Sequence, residues 1–279
     1  MPGPVAFVLG GGGLLGAHEV GMLRALLEAG IRPDLVVGTS VGALNGVVVA
    51  EDPTPAAARR LAELWLDLDS TELFAGSVLG RLSTLARTRT SLHTDQPLRD
   101  ALTAQLTARR FEELAVPFQC VAASVERAAE HWFSAGPLVD AVLASCAVPG
   151  LLPPVRIGDG TYLDGGLVHS IPVGRAVALG ATTLYVLQVG RVEQPLTAPQ
   201  RPWEVGLVAF EVARRHRYAA DMATLPDTVT AHVLPTGAAE KPTDLRSQLR
   251  YRDRSGIARR ITGAYEATRD YLAAGGGPA

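Results

Sequence analysis

Hydrophobic positions at the start of the chain alternate between short continuous runs and longer helical repeats. Residues 5–9 form an unbroken apolar run that ends in glycine, which is typical of a strand buried on both faces. Residues 16–29 carry apolar side chains at helical spacing, and Gly30 marks the end of that helix. A second buried strand is predicted at residues 35–37 and a second helix at residues 41–50. This order predicts an α/β fold with a parallel sheet covered by helices on both faces.

The same patterns predict the remaining elements. Further helices are expected at residues 55–68, 97–106, 138–147, 173–179, 203–225 and 257–272. Further strands are expected at residues 118–123, 131–134, 183–189 and 229–234, with a hairpin over residues 155–163. Residues 70–94 are rich in Ser, Thr, Arg and Gly, and we predict short helices and loops there, near a substrate entrance. We predict one domain over residues 1–274 and a disordered tail over residues 275–279.

Composition narrows the possible functions. Of the 279 residues, 47% are apolar and 19% are charged, as in globular proteins, and the net charge of −2 argues against a nucleic-acid partner. The N-terminus lacks the basic region of a secretory signal, and no apolar stretch is long enough to span a membrane. We therefore expect a cytoplasmic protein whose membrane contact is peripheral. Cys120 and Cys146 are predicted to be reduced, buried thiols, and no metal is expected.

A glycine-rich turn follows the first predicted strand. Its sequence GGGLLG at residues 11–16 matches the G-x-G-x-x-G pattern of dinucleotide-binding turns. However, the next strand ends in GTS at residues 38–40, where a ribose-binding acidic residue would be expected. No lysine follows Gly16, so the turn is not a P-loop. Consecutive glycines can direct several backbone N–H groups at one negative charge, so we interpret the turn as an oxyanion hole, with a non-catalytic nucleotide-binding domain as the alternative.

A second turn presents a serine. The pentapeptide GTSVG at residues 38–42 has the form G-x-S-x-G and lies between a predicted buried strand and a helix. In this context the flanking glycines allow a sharp bend that exposes the hydroxyl of Ser40. The pattern predicts a nucleophile for acyl transfer; the alternative is a serine that only caps the following helix.

Two residues are candidates for the base that activates Ser40. None of the histidines lies in a recognisable catalytic motif, and His216 belongs to the arginine-rich segment 214–217, which we interpret as a solvated helix face. His169 is the best histidine candidate, because a Ser–Asp–His esterase would place it after an acidic residue. Asp164 is the stronger candidate, since it ends an apolar strand and precedes two glycines. Asp159, also followed by glycine, is interpreted as an ordinary hairpin turn.

Together, GGGLLG at residues 11–16, GTSVG at residues 38–42 and DGG at residues 164–166 resemble the patatin-like phospholipases in order and spacing. The flanking sequences agree as well: GMLRALLEAGI precedes the serine turn, and ASCAVPGLLPPV leads to YLDGGLV. The resemblance is specific over residues 5–173 and faint in the C-terminal part of the chain.

The resemblance implies a three-layer α/β/α sandwich with a mainly parallel central sheet and a Ser–Asp dyad that needs no catalytic histidine. Ser40 is then the nucleophile and Asp164 its base. The backbone of Gly11, Gly12 and Gly13 would form the oxyanion hole. The other glycines of the three motifs are Gly16, Gly38, Gly42, Gly165 and Gly166. The implied function is hydrolysis of fatty-acyl esters of lipids, of the phospholipase or lysophospholipase type, with no cofactor and no metal.

The chain departs from the family pattern at two places. Many members carry Arg or Lys where Leu15 stands, and often an acidic or amide residue near His169 and Ser170. Without a cation beside the glycine turn, a phosphate head group is less strongly indicated, so neutral acyl esters and lysolipids stay open as substrates. The arginines at positions 246, 250, 252, 254, 259 and 260 are interleaved with aspartates. We interpret them as a solvated surface rather than a site for anionic lipid.

Overall fold

The computed structural model of this chain describes residues 3–67, 90–189, 195–237 and 254–276. Strands β1 to β8 in the described part are Val5–Leu9, Leu35–Thr39, Phe118–Ser124, Ala129–Phe133, Val155–Ile157, Gly160–Asp164, Thr183–Leu187 and Thr230–Val233. Helices α1 to α8 are Gly16–Glu28, Val41–Glu51, Pro55–Asp67, Gln96–Gln105, Leu138–Ser145, Val173–Ala178, Pro202–Ala223 and Arg254–Ala273. Each lies within a few residues of its prediction. Most of the expected substrate-entrance segment and the arginines at 246, 250 and 252 lie outside the described residues.

The strands form one sheet in the order β5-β6-β3-β2-β1-β7-β8, and β4 also pairs with β3. The central strand β1 is parallel to both of its neighbours, β2 and β7. The β2–β3 and β7–β8 pairs are parallel too, whereas β3 is antiparallel to β4 and β6, and β6 is antiparallel to β5. The predicted, mainly parallel central sheet is therefore confirmed.

Alternating side chains of β1 show the three layers. Phe7 and Leu9 point to one face, where they pack in a hydrophobic core that includes residues of α1, α2, α3, α5 and α8. Ala6 and Val8 point to the opposite face, where they pack with residues of α6 and α7. Successive residues of a strand face opposite sides of a sheet, so an unbroken apolar strand requires a helical layer on each side. The predicted α/β/α sandwich is confirmed.

The topology brings the two glycine turns together. Both turns follow the carboxyl ends of strands, β1 and β2, which are parallel and adjacent. The carboxyl ends of parallel strands lie at the same edge of a sheet, where α/β proteins commonly bind ligands. Strand β6 reaches this region from the antiparallel part of the sheet, where its last residue, Asp164, is opposite Ala122 of β3. The sheet thus positions the serine turn, the glycine-rich turn and the aspartate in one place.

None of the described helices combines the length and apolarity needed to cross a membrane. Both cysteines are buried and not in a disulfide, as predicted. Burial raises the pKa of the Cys120 thiol and of the Cys146 thiol, so both remain protonated at neutral pH.

Candidate active site

Ser40 occupies a sharp bend between β2, which ends at Thr39, and α2, which begins at Val41. Its backbone has φ 54° and ψ −123°, a conformation that residues other than glycine rarely adopt. A Cβ at Gly38 would lie 2.5 Å from the carbonyl oxygen of Gly42. The flanking glycines are therefore required by the close approach of strand and helix, as in the nucleophile turn of serine hydrolases.

The hydroxyl of Ser40 contacts the carboxylate of Asp164 directly. Ser40 Oγ donates a hydrogen bond of 2.6 Å to Asp164 Oδ2. The other carboxylate oxygen accepts the N–H of Gly166 at 2.7 Å, and the Asp164 N–H donates to the carbonyl of Ala147 at 2.9 Å. Asp164 is 1% exposed and Ser40 is 9% exposed. These contacts fix the carboxylate against the hydroxyl in a site from which most water is excluded.

The two glycines after Asp164 have different roles. Gly165 packs on β3, and a Cβ there would overlap the carbonyl of Val121. Gly166 provides the N–H that binds the carboxylate. By contrast, the exposed Asp159 forms the turn of the β5–β6 hairpin, as predicted.

Burial changes the acidity of Asp164. Loss of solvation raises the pKa of its carboxyl group from the ordinary 3.8 to about 6, although the hydrogen bonds from Ser40 and Gly166 and the charge of Arg214 act in the opposite direction. At neutral pH the group is mostly ionised, yet it is a stronger base than an exposed aspartate. A base with a pKa near the working pH is suited to accept a proton from a hydroxyl and return it.

Ser145 supports the serine turn in a way that the sequence reasoning missed. The N–H of Ser40 donates to Ser145 Oγ at 2.9 Å, and Ser145 is fully buried at the end of α5. A buried N–H without an acceptor is costly, so this hydroxyl stabilises the strained bend. The only sequence signal was the position of Ser145 in the segment ASCAVPG, which leads to Asp164.

The glycine-rich turn is anchored at its first two residues. The Gly10 N–H donates to the carbonyl of Leu187 at 3.1 Å, and the Gly11 N–H donates to the carbonyl of Ser170 at 2.8 Å. The Gly11 amide, which the sequence assigned to the oxyanion hole, is therefore already used within the protein.

The next two amides of the turn are available. Within the described ranges, no acceptor is hydrogen-bonded to the N–H groups of Gly12 or Gly13. Gly13 has φ 57°, which glycine adopts at low cost, and a Cβ at Gly12 would overlap Val189. Gly16 is equally constrained, because a Cβ there would overlap Val41 at the start of α2.

The prediction of a solvated face for residues 214–217 is wrong for Arg214. Its side chain is 6% exposed and lies beside the glycine-rich turn, where Nη1 donates to the carbonyl of Gly11 at 2.5 Å. His216, in the same segment, is exposed as predicted. A cation thus lies next to the turn even though position 15 is leucine.

His169 is engaged away from the serine hydroxyl. Its Nε2 is bonded to the carboxylate of Glu130 and lies 2.9 Å from Nη2 of Arg217, while Nδ1 lies 3.7 Å from Asp221 Oδ2. Its carbonyl accepts the hydroxyl of Thr39 at 2.7 Å. The imidazole belongs to a charged cluster that joins α7 to β4, so the Ser–Asp–His alternative lacks its key contact in this structure.

The part of the chain that the structure describes contains no group of three or more His, Cys, Asp or Glu side chains arranged to hold a metal ion.

Comparison with known proteins identifies relatives of this chain. The family model for patatin-like phospholipase matches residues 7–177. Patatin-like phospholipase domain-containing protein 7 of Rattus norvegicus is 33% identical over 196 residues, which cover 69% of this chain and 14% of the relative. Patatin-like phospholipase domain-containing protein 6 of Homo sapiens is 32% identical over 192 residues, which cover 68% of this chain and 14% of the relative. Lysophospholipase nte1 of Aspergillus terreus is 30% identical over 193 residues, which cover 68% of this chain and 12% of the relative.

The chain therefore corresponds to a small part of these much longer relatives. Among solved structures, VipD from Legionella pneumophila is 15% identical with a TM-score of 0.44, covering 98% of this chain and 67% of that one. The family match spans more than half of the chain and includes the serine turn, the glycine-rich turn and the aspartate. The chain belongs to the patatin-like phospholipase family.

Proposed function

We propose that this chain is a serine acyl hydrolase that cleaves fatty-acyl esters of lipids through a dyad of Ser40 and Asp164. The observation that carries the proposal is the 2.6 Å hydrogen bond between Ser40 Oγ and Asp164 Oδ2, at a strained turn beside two backbone amides that bind no acceptor among the described residues. A serine hydroxyl is a weak nucleophile until a neighbouring base takes its proton, and this contact supports Asp164 in that role.

In the first half of the reaction, Ser40 Oγ attacks the carbonyl carbon of the ester while its proton passes to Asp164 Oδ2. The carbonyl oxygen becomes an oxyanion, which the N–H groups of Gly12 and Gly13 stabilise. When the tetrahedral intermediate breaks down, the C–O bond to the alcohol cleaves and the alcohol leaves with the proton held by Asp164. Ser40 is then acylated.

In the second half, water attacks the acyl-enzyme and Asp164 accepts a proton from it. The same amides stabilise the second oxyanion. Breakdown of this intermediate releases the fatty acid, and the proton returns from Asp164 to Ser40 Oγ. The cycle needs one base in two protonation states, which a carboxyl group with a pKa of about 6 provides near neutral pH.

Fatty-acyl esters of lipids, of the phospholipase or lysophospholipase type, are the proposed substrates. Of the three relatives described above, one is named a lysophospholipase and two are named as patatin-like phospholipase domain-containing proteins. We propose that the chain meets its lipid at a membrane surface by peripheral contact from the cytoplasm, as expected from the sequence.

Substitution of Ser40 by alanine should reduce hydrolysis by at least about 10³-fold, because the acyl-enzyme cannot form. Release of fatty acid from a lysophospholipid, a diacyl phospholipid and a monoacylglycerol, measured by mass spectrometry, gives the rates. Ser134→Ala, at an exposed serine after β4, is the matched control and should keep wild-type rates. Comparable hydrolysis by Ser40→Ala would reject the proposed nucleophile. Saturable dinucleotide binding without esterase activity would instead favour the nucleotide-binding alternative.

The rate should also depend on pH in a defined direction. Asp164 accepts a proton only when ionised, so kcat/KM should fall as the pH decreases through about 6, the pKa to which burial raises this carboxyl group. Activity should be nearly constant between about pH 7 and 8, because a carboxyl group is about 90% ionised one unit above its pKa and about 99% ionised two units above it. Initial rates on a short-chain ester between pH 4.5 and 8 provide the measurement. A profile that shows no decrease down to pH 4.5 would mean that Asp164 is not the base.

A further inference from the structure

Arg214 is a buried cation in contact with the proposed oxyanion hole. It lies on α7, beyond residues 7–177 that match the family model. Nη1 donates to the carbonyl of Gly11, and Nε lies 3.3 Å from Oε2 of Glu211, a carboxylate that is itself buried. Burying a guanidinium is costly unless it has charged or hydrogen-bonded partners. Glu211 and the Gly11 carbonyl are those partners.

The contact fixes the direction of one amide. The described peptide bonds are all trans, so the Gly11 C=O and the Gly12 N–H of the same peptide plane point in opposite directions. While Arg214 holds the carbonyl on its side, the Gly12 N–H must point to the other side. Between two glycines the peptide plane can otherwise rotate at low cost, because neither residue has a Cβ to restrict φ.

Three contacts thus hold the glycine-rich turn at Gly10 and Gly11, the residues that precede the Gly12 and Gly13 amides. The Gly10 and Gly11 N–H groups are bonded to the carbonyls of Leu187 and Ser170, and the Gly11 carbonyl is bonded to Arg214. The first two contacts set where the turn lies, but they do not fix the Gly11–Gly12 peptide plane. Among the described residues, the contact that fixes this plane is the hydrogen bond from Arg214 to the Gly11 carbonyl.

We propose that Arg214 is a positioning residue that orients the Gly12 N–H toward the oxyanion, so that a helix outside the family match completes the active site. This inference rests on the proposed function. The guanidinium charge also lies near enough to Asp164 to favour its ionised form, and it contributes a positive potential where the oxyanion develops.

The test compares Arg214→Met with Arg215→Met. Arg215 is the next residue of the same helix, and its Nε lies 3.1 Å from the other oxygen of Glu211. Each substitution removes one positive charge and one contact with Glu211, but only the first removes the bond to Gly11. We expect Arg214→Met to lower kcat by about 10²-fold with KM changed less than about threefold, because a lost oxyanion donor acts on the transition state. Arg215→Met should stay within about threefold of wild type in both constants.

A pH profile separates positioning from a general effect on folding. Without the nearby cation, the carboxyl group of Asp164 ionises less readily, so the decrease of kcat/KM at acid pH should move to higher pH in Arg214→Met and not in Arg215→Met. A trifluoromethyl ketone, whose adduct with serine carries an oxyanion, should bind Arg214→Met about 10²-fold more weakly than wild type.

Arg214→Lys keeps the test decisive if the methionine variant does not fold. The Lys Nζ ends one bond earlier than Arg Nη1, so its bond to the Gly11 carbonyl should weaken and kcat should fall about tenfold with KM unchanged. Wild-type kcat in the folded Arg214 variants, or a loss that appears only in KM, would overturn the inference. If the wild-type protein itself is inactive and Ser40 is unreactive, it is the proposed function that fails.

Discussion

Asp164→Asn should lower kcat by about 10³- to 10⁴-fold on any ester that the wild-type protein hydrolyses. Asparagine has almost the same shape as aspartate and can satisfy both contacts of the carboxylate. It can accept the Gly166 N–H through its oxygen and donate to Ser40 Oγ through its nitrogen. It cannot accept a proton, so Ser40 would remain an unactivated hydroxyl. Steady-state rates on the preferred ester provide the measurement.

The same substitution should stabilise the fold above pH 6. The folded-state pKa of the Asp164 carboxyl group, about 6, lies above its ordinary value of 3.8, so the unfolded chain ionises first as the pH rises. The contribution of this carboxyl group to wild-type stability therefore decreases between about pH 4 and pH 6 and stays lower above that range, by about 3 kcal/mol. Asparagine does not ionise, so the variant should melt about 6–12 °C higher than wild type at pH 8 and at nearly the same temperature at pH 4.

Asp159→Asn is the matched control for both effects. It makes the same change at the other Asp-Gly sequence, in the exposed β5–β6 turn. We expect kcat within about twofold of wild type and a melting temperature that does not diverge from wild type between pH 4 and pH 8. If Asp164→Asn kept more than about a tenth of wild-type kcat, the assignment of Asp164 as the base would be wrong.

Gly42→Ala should lower the free energy of unfolding by about 3 kcal/mol or more. The added Cβ would lie 2.5 Å from the carbonyl oxygen of Leu9 and 2.8 Å from that of Gly10. Both are backbone atoms of the central strand and the turn after it, so neither can move aside as a flexible side chain would. The first turn of α2 would have to withdraw from β1 and carry Ser40 with it. Thermal unfolding should show a fall of at least about 6 °C, together with loss of activity.

Gly263→Ala, in α8, is the control for this prediction. Outside its own helix, a Cβ there would have no atom of the described residues within 4 Å, so the change should be neutral or should stabilise the helix by up to about 1 kcal/mol. If Gly42→Ala melted at the same temperature as Gly263→Ala, the close approach of α2 to β1 would not be a requirement of the fold.

The sheet and both turns could be predicted because local patterns determine them. An unbroken apolar run such as residues 5–9 has few alternatives to a strand with a helical layer on each face. The residue pattern around Ser40 predicts a bend because only glycine allows such close approach, and the overlaps at Gly38 and Gly42 bear out that reasoning.

The residues that the sequence did not predict act through contacts between distant parts of the chain. The segment 214–217 has the composition of an exposed helix face, and nothing local indicates that Arg214 turns inward to a carbonyl 203 residues earlier in the chain. Ser145 likewise binds an amide that lies 105 residues before it. The family resemblance assigned Gly11, Gly12 and Gly13 together to the oxyanion hole, and nothing local in the sequence separates these glycines. Only the position of the Ser170 carbonyl distinguishes the Gly11 amide from the next two.

The most direct measurement is to label the protein with a fluorophosphonate and to map the adduct by peptide mass spectrometry. The account predicts one adduct, on Ser40 Oγ, absent in Ser40→Ala and formed at least about 10²-fold more slowly in Asp164→Asn. An adduct on any other residue, or unchanged labelling of the Ser40→Ala variant, would contradict it.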